Sequence, residues 1–124
     1  MERNSYVKLL EETKEFYKNI KRIRCKNLNN ELVTFGASGF KHLLTKNRKE
    51  RTIDEQYRKL SLLKHVVEVI NAEKPEFGVR KLQSKEYGSI EYISISSFVN
   101  SVKIRVILRK IGNGHYHFWS IMDV

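Results

Sequence analysis

The stretch KIRVILRKIGNGHYHFWSIMD, residues 103–123, decides the fold. On both sides of Gly112-Asn113-Gly114, β-branched and aromatic residues alternate with polar ones at a period of two. The stretch therefore reads as two strands joined by a tight hairpin. It also gathers two arginines, two histidines, a tryptophan and a serine, so register decides which of them share a face. Working outward, β-branched residues and serines dominate from Phe77 onward, and strands are expected at about 77–83, 87–98, 102–111 and 116–122. The intervening joins, near Lys85-Glu86 and Asn100-Ser101, are too short for anything but antiparallel neighbours.

The residues before this sheet follow the helical period instead. In residues 3–22, Val7, Leu10, Phe16 or Tyr17, and Ile20 recur on one stripe with charges between them, which predicts an amphipathic amino-terminal helix. ELVTFG, residues 31–36, is a short β-prone run, and GFKHLLTK, residues 39–46, fits about two helical turns. Thr52 and Glu55 form a capping box, followed by Ile53, Tyr57, Leu60, Leu63, Val67 and Ile70 on one stripe, with Pro75 as a stop. Helices first and an antiparallel sheet last predict an α+β fold, with amino-terminal helices packed on one face of a four-stranded antiparallel sheet. At 124 residues, with no linker or repeat, positions 1–124 read as one domain.

A two-residue turn at Asn100-Ser101 pairs Val99 with Val102 and sets Ile93 and Ile95 opposite Leu108 and Val106, a core face shared with Ile104. A two-residue turn at Asn113-Gly114 extends that layer by pairing Leu108 with Trp119 and Val106 with Ile121. The other face then collects Tyr92, Ser94 and Ser96, then Arg105, Ile107 and Arg109, then Tyr116, Phe118 and Ser120. A three-residue loop at 112–114 would instead set His117 and Trp119 beside the arginines.

Charge is the strongest global signal. The 24 Lys and Arg exceed the 14 Asp and Glu to leave a net +10, a balance that attracts polyanions, nucleic acid first among them. An acidic protein or an anionic membrane would satisfy the same field. No apolar run approaches the roughly 20 residues of a membrane span, and residues 1–22 lack a signal-peptide pattern, so a soluble, cytoplasmic protein without a membrane partner is expected. Cys25, the single cysteine, is read as structural.

Arg105 and Arg109 on the open face are suited to bidentate phosphate binding, with Tyr92 and Phe118 as stacking surfaces for unpaired bases. His42 precedes a basic cluster with Lys46, Arg48, Lys49 and Arg51. An imidazole beside such cations fits acid–base work on a phosphodiester. The His115-x-His117 pair has no third ligand at useful spacing, so no metal or other cofactor is expected. His65 falls opposite the apolar stripe of its helix and is read as solvated. Carboxylates do not cluster as in two-metal nucleases or glycosidases, and neither a phosphate-binding glycine loop nor a G-x-S-x-G elbow occurs.

The order of elements, with GFKHLL, the capped helix of Tyr57 to Ile70, and a four-strand meander ending in KIRVILRK-x4-HYHFWSI, resembles the BECR superfamily of metal-independent ribonucleases. That group takes in barnase-, EndoU-, colicin- and RelE-like proteins, and the likeness is greatest to its phage-associated PBECR branch. It covers residues 32–123, leaving the helix of residues 1–22 without a counterpart. The resemblance implies a toxin or mobile-element RNA endonuclease that acts by attack of the ribose 2′-hydroxyl. It implies His42, Arg105 and Ser120 as catalytic residues, with His117 replacing or assisting His42. In that scheme Arg105, with Lys46 or Arg48, holds the scissile phosphate, and an acidic antitoxin or immunity protein is a further expected partner. A non-catalytic nucleic-acid-binding module and a domain for an acidic protein partner are the competing readings of the same basic face.

Overall fold

The structure, a computed structural model, describes residues 3–124. Helix α1 spans Arg3–Ile20, and a hairpin of β1 (Arg22–Cys25) and β2 (Glu31–Thr34) follows. Helix α2 (Ala37–Leu44) leads into a small hairpin of β3 (Thr45–Lys46) and β4 (Lys49–Glu50), then α3 (Ile53–Leu62), a 3-10 turn and α4 (Val66–Ile70). The meander β5 (Glu76–Ser84), β6 (Gly88–Val99), β7 (Val102–Ile111) and β8 (Tyr116–Asp123) completes the chain.

The α+β class and the four-strand meander agree with the sequence reading, but the sheet is larger and mixed. Its order is β1-β2-β8-β7-β6-β5, and β2 lies parallel to β8 through Val33 opposite Tyr116 and Thr34 opposite His117. The expected four-stranded antiparallel sheet is therefore corrected to six strands, because the first hairpin docks against the last strand. That pairing joins residues some eighty positions apart, and nothing local in RIRC or ELVT announces it.

Two other expectations change. The capped helix does begin at Thr52, whose hydroxyl accepts from the Glu55 amide at 3.2 Å, but it breaks into α3, a 3-10 turn at Leu63–His65, and α4. Its buried side runs through Gln56, Leu60, Leu63, Val66, Val69 and Ile70, leaving Ile53 and Tyr57 exposed. In α1 the buried side is Thr13 and Tyr17, with Leu10 partly covered, while Val7 and Phe16 face solvent. Tyr17 fixes this helix by donating to the Gly36 carbonyl at 2.7 Å.

The register of β6 and β7 is the expected one, with Ile93 opposite Leu108, Ile95 opposite Val106, and Val99 opposite Val102. Asn100 and Ser101 both have positive φ, as a two-residue hairpin turn of this hand requires. Between β7 and β8 both alternatives hold in part. Arg109 pairs with His117 and Leu108 with Phe118, the register of a three-residue loop, whereas Ile107 pairs with Ser120 and Val106 with Ile121, the register of a two-residue turn. A β-bulge at Phe118-Trp119 absorbs the difference of one residue. Leu108 thus faces Phe118, not Trp119.

The bulge corrects the assignment of faces. Tyr116 and Phe118 turn into the core, so Phe118, expected on the ligand face, is fully buried, with its ring stacked on Phe35 and edge-on to Tyr17. His117 and Trp119 occupy the other face with Arg109. Helices α2, α3 and α4 lie along β8, β7 and β6 on the core side, burying Ile93, Ile95, Ile104, Val106, Leu108 and Ile121. Cys25 is fully buried, its thiol donating to the Ile70 carbonyl at 3.3 Å, in keeping with a structural role.

Candidate active site

His42 reaches β8 because of Gly39. A Cβ at position 39 would lie 2.4 Å from the Phe118 carbonyl oxygen and 2.8 Å from the Tyr17 hydroxyl, so only glycine lets α2 approach the strand this closely. Residues three apart share one helix face, and the same approach therefore lays His42 on the bulge residue next to Phe118. The imidazole stacks on Trp119 with centroids 4.2 Å apart and planes at 24°.

Trp119 also holds the Arg109 guanidinium, 3.7 Å from its ring centre, a cation–π contact. Arg109 in turn donates from Nε to His117 Nε2 at 3.0 Å. The indole is thus the part that brings a histidine and an arginine together. His117 takes its place behind Arg109, while His115 is exposed on the turn.

Cations arrive from three further elements. The β3–β4 hairpin turns at Asn47 and Arg48, both with positive φ, and carries Lys46 to the edge of the cleft. Arg51 follows, with its side chain only 8% exposed, pairing with Glu55 at 3.7 Å and donating from Nε to the His42 carbonyl at 3.2 Å. Lys59, on α3, donates to the Ile121 carbonyl of β8 at 2.8 Å and to Ser120 Oγ at 3.3 Å.

His42, Lys46, Arg51, Arg80, Trp119 and Ser120 line one open cleft of about 510 Å³, floored by Tyr92, Ser94, Ile107 and Met122 of the uncovered sheet face. No carboxylate is among its lining residues within the described part of the chain. Burial, first, and the Arg51 charge, second, push the His42 imidazole down to about 4, with Lys59 and Arg109 adding to the effect and a backbone contact from Trp119 opposing it. The ring is therefore neutral at pH 7. His42 Nδ1 is buried without a hydrogen-bond partner among the described residues. Burial, aided by Arg51 and Lys46 against Glu55 and Asp123, brings the Lys59 ammonium down to about 8. His117 is lowered too, by burial and then by Arg109.

Of the residues expected from the sequence, His42, Lys46, Arg51, Tyr92 and Ser120 meet in this cleft, with Arg109 and His117 joined to it through Trp119. Arg105 is on the same face but one row away, opposite Met122, with its Nε donating to Ser96 Oγ at 3.1 Å, and it is not among the charges that act on His42. Arg48 is at the exposed tip of its hairpin, outside the lining. Phe118 is in the core. His65, expected to be solvated, is partly covered and 4.0 Å from Glu68. The residues that sequence reasoning missed are Lys59 and Arg80; Trp119 was expected beside the arginines only in the three-residue-loop alternative, and the bulge realises that part of it. Lys59 was hidden because a lone lysine between Tyr57 and Leu60 looks like any exposed helix position.

Compared with protein-family models, curated proteins and solved structures, the chain matches none of them. Among the described residues no helix is long and apolar enough to cross a membrane.

Proposed function

We propose that this protein is a metal-independent RNA endonuclease working by 2′-hydroxyl transesterification. The observation that carries the reading is a neutral, half-buried histidine stacked in a cleft whose charged lining groups, Lys46, Arg51 and Arg80, are all cationic. Such a cleft favours a polyanion and stabilises the extra negative charge of a phosphorane. A neutral imidazole beside it is a base in the protonation state it needs.

His42 takes the proton of the ribose 2′-hydroxyl as the 2′-oxygen bonds to phosphorus. Lys46, Arg51 and Arg109 hold the non-bridging oxygens, where charge accumulates. As the bond from phosphorus to the 5′-oxygen breaks, Ser120 gives its proton to the leaving oxygen and is refilled by Lys59, 3.3 Å from its Oγ. The products are a 2′,3′-cyclic phosphate and a 5′-hydroxyl. His117 holds Arg109 in position.

Purified protein should cut unstructured RNA in the presence of EDTA and leave cyclic phosphate ends, detectable by mass spectrometry. Salt-sensitive binding without cleavage would leave a nucleic-acid-binding module in its place, and binding confined to an acidic protein would favour an interaction domain. An antitoxin or immunity protein as partner, and a place in a mobile element, belong to this proposal.

A bell-shaped pH profile is expected. The base must be unprotonated, so kcat/KM should rise as pH rises through about 4, and the proton donor must be charged, so it should fall as pH passes about 8. Lys59→Arg keeps the charge but cannot give up a proton, so it should lower the rate and abolish the limb near 8. If that limb stays near 8 in the variant, Lys59 is not in the proton path.

A further inference from the structure

The open sheet face does not stop at the cleft. Along β6, Tyr92, Ser94, Ser96 and Phe98 point to one side, and opposite them on β7 come Arg109, Ile107, Arg105 and Lys103. Tyr92, Ser94 and Ile107 line the cleft, and Ser96 with Arg105 forms the next row outward. The row beyond is Phe98 with Lys103. Phe98 is 68% exposed, far more than Tyr92 or any core ring.

Single exposed apolar side chains are common, and what sets Phe98 apart is its position in line with the cleft, on the same sheet face and two rows beyond it. Arg105 spends its Nε on Ser96 and makes no hydrogen bond from either Nη among the described residues. Glu76, opposite Ser96 on β5, pairs with Lys103 and also lies in the field of Arg105, so two cations face one carboxylate in this row and the next, leaving a net positive charge for a phosphate. From Ser94 to Phe98 the strand advances about 13 Å, the length of at most about four stacked nucleotides at roughly 3.4 Å each along one strand.

We infer that Phe98 and Arg105 form a second nucleotide subsite, in which Phe98 stacks an unpaired base and Arg105 holds the phosphate between that base and the cleft. The inference rests on the reading of the cleft as an RNA site. It makes the substrate single-stranded and several nucleotides long. It also gives Arg105, which does not reach the cleft, a role in holding the strand rather than in the reaction.

Binding of uncleavable 2′-O-methyl oligoribonucleotides tests the subsite apart from the chemistry. A fluorescein-labelled octamer of mixed sequence is followed by anisotropy at fixed salt, with an unlabelled dimer as competitor. The octamer should bind the wild type at least tenfold more tightly than the dimer does, and Phe98→Ala should lose about tenfold on the octamer. Phe98→Trp should restore it, because stacking needs a ring and not this particular one. Arg105→Gln should weaken octamer binding and flatten its dependence on salt.

Equal octamer binding by Phe98→Ala and wild type overturns the inference and leaves the ring to a protein contact. So does a duplex that binds better than the single strand, or an octamer no tighter than the dimer. Failure of the RNA cleavage assay does not touch these measurements, and loss of the Phe98 effect does not touch cleavage. Each result therefore identifies which of the two readings has failed.

Discussion

Replacing His42 with alanine should lower the rate of RNA cleavage by about 10² to 10⁴-fold, the usual worth of a positioned proton-transfer group. The variant also removes the ring that stacks on Trp119, so the loss alone would not separate chemistry from packing. His42→Phe does separate them. It keeps an aromatic ring against the indole and removes both nitrogens, and it should be as inactive as His42→Ala while retaining the wild-type melting temperature or exceeding it. A stability gain is expected below about pH 6.5, and it has a physical source. His42 is held down to about 4, well below its ordinary value, so protonation disfavours the folded state and stability is lost as pH falls from about 6.5 through about 4. A phenyl ring carries no such proton, and that part of the acid sensitivity should disappear in His42→Phe. Added imidazole should restore part of the rate of His42→Ala, where a space has been opened, and not of His42→Phe, where it has been filled. Cleavage by His42→Phe at the wild-type rate would remove His42 from the reaction.

Which parts of this site were legible in the sequence follows from how local each signal is. The capping box at Thr52, the Asn100-Ser101 turn and the pairing of β6 with β7 are set by residues close together in the chain, and pattern alone located them. His42 with Lys46 and Arg51 was legible as a histidine next to cations, although nothing local showed that Arg51 would be nearly buried and tied to the His42 carbonyl. The parallel contact of β2 with β8 has no local signature, and it turns a four-stranded sheet into one of six. Lys59 became part of the site only because α3 packs along β8. The bulge was the decisive gap. Alternation predicts faces only while it is unbroken, and one inserted residue exchanged the roles of two adjacent aromatics.

That exchange makes the second large effect a comparison of neighbours. Phe118→Ala should destabilise the protein by about 3–5 kcal/mol, the cost of emptying a fully buried phenylalanine site, and urea denaturation should show the midpoint falling accordingly. Phe118 is wedged between Tyr17 and Phe35, and its carbonyl is the atom that Gly39 approaches, so collapse around the cavity would also disturb the seat of α2. Trp119→Ala should behave in the opposite way. Trp119 is partly exposed and its contacts are with His42 and Arg109 rather than with the core, so its removal should cost little stability and much of the activity. An unbroken two-residue-turn register would put Trp119 in the core opposite Leu108 and Phe118 on the ligand face, and the two variants would then exchange phenotypes. A stable, inactive Trp119→Ala beside a destabilised Phe118→Ala requires the bulge. The reverse pattern would move His42 off its stacking partner and dissolve the cleft as described.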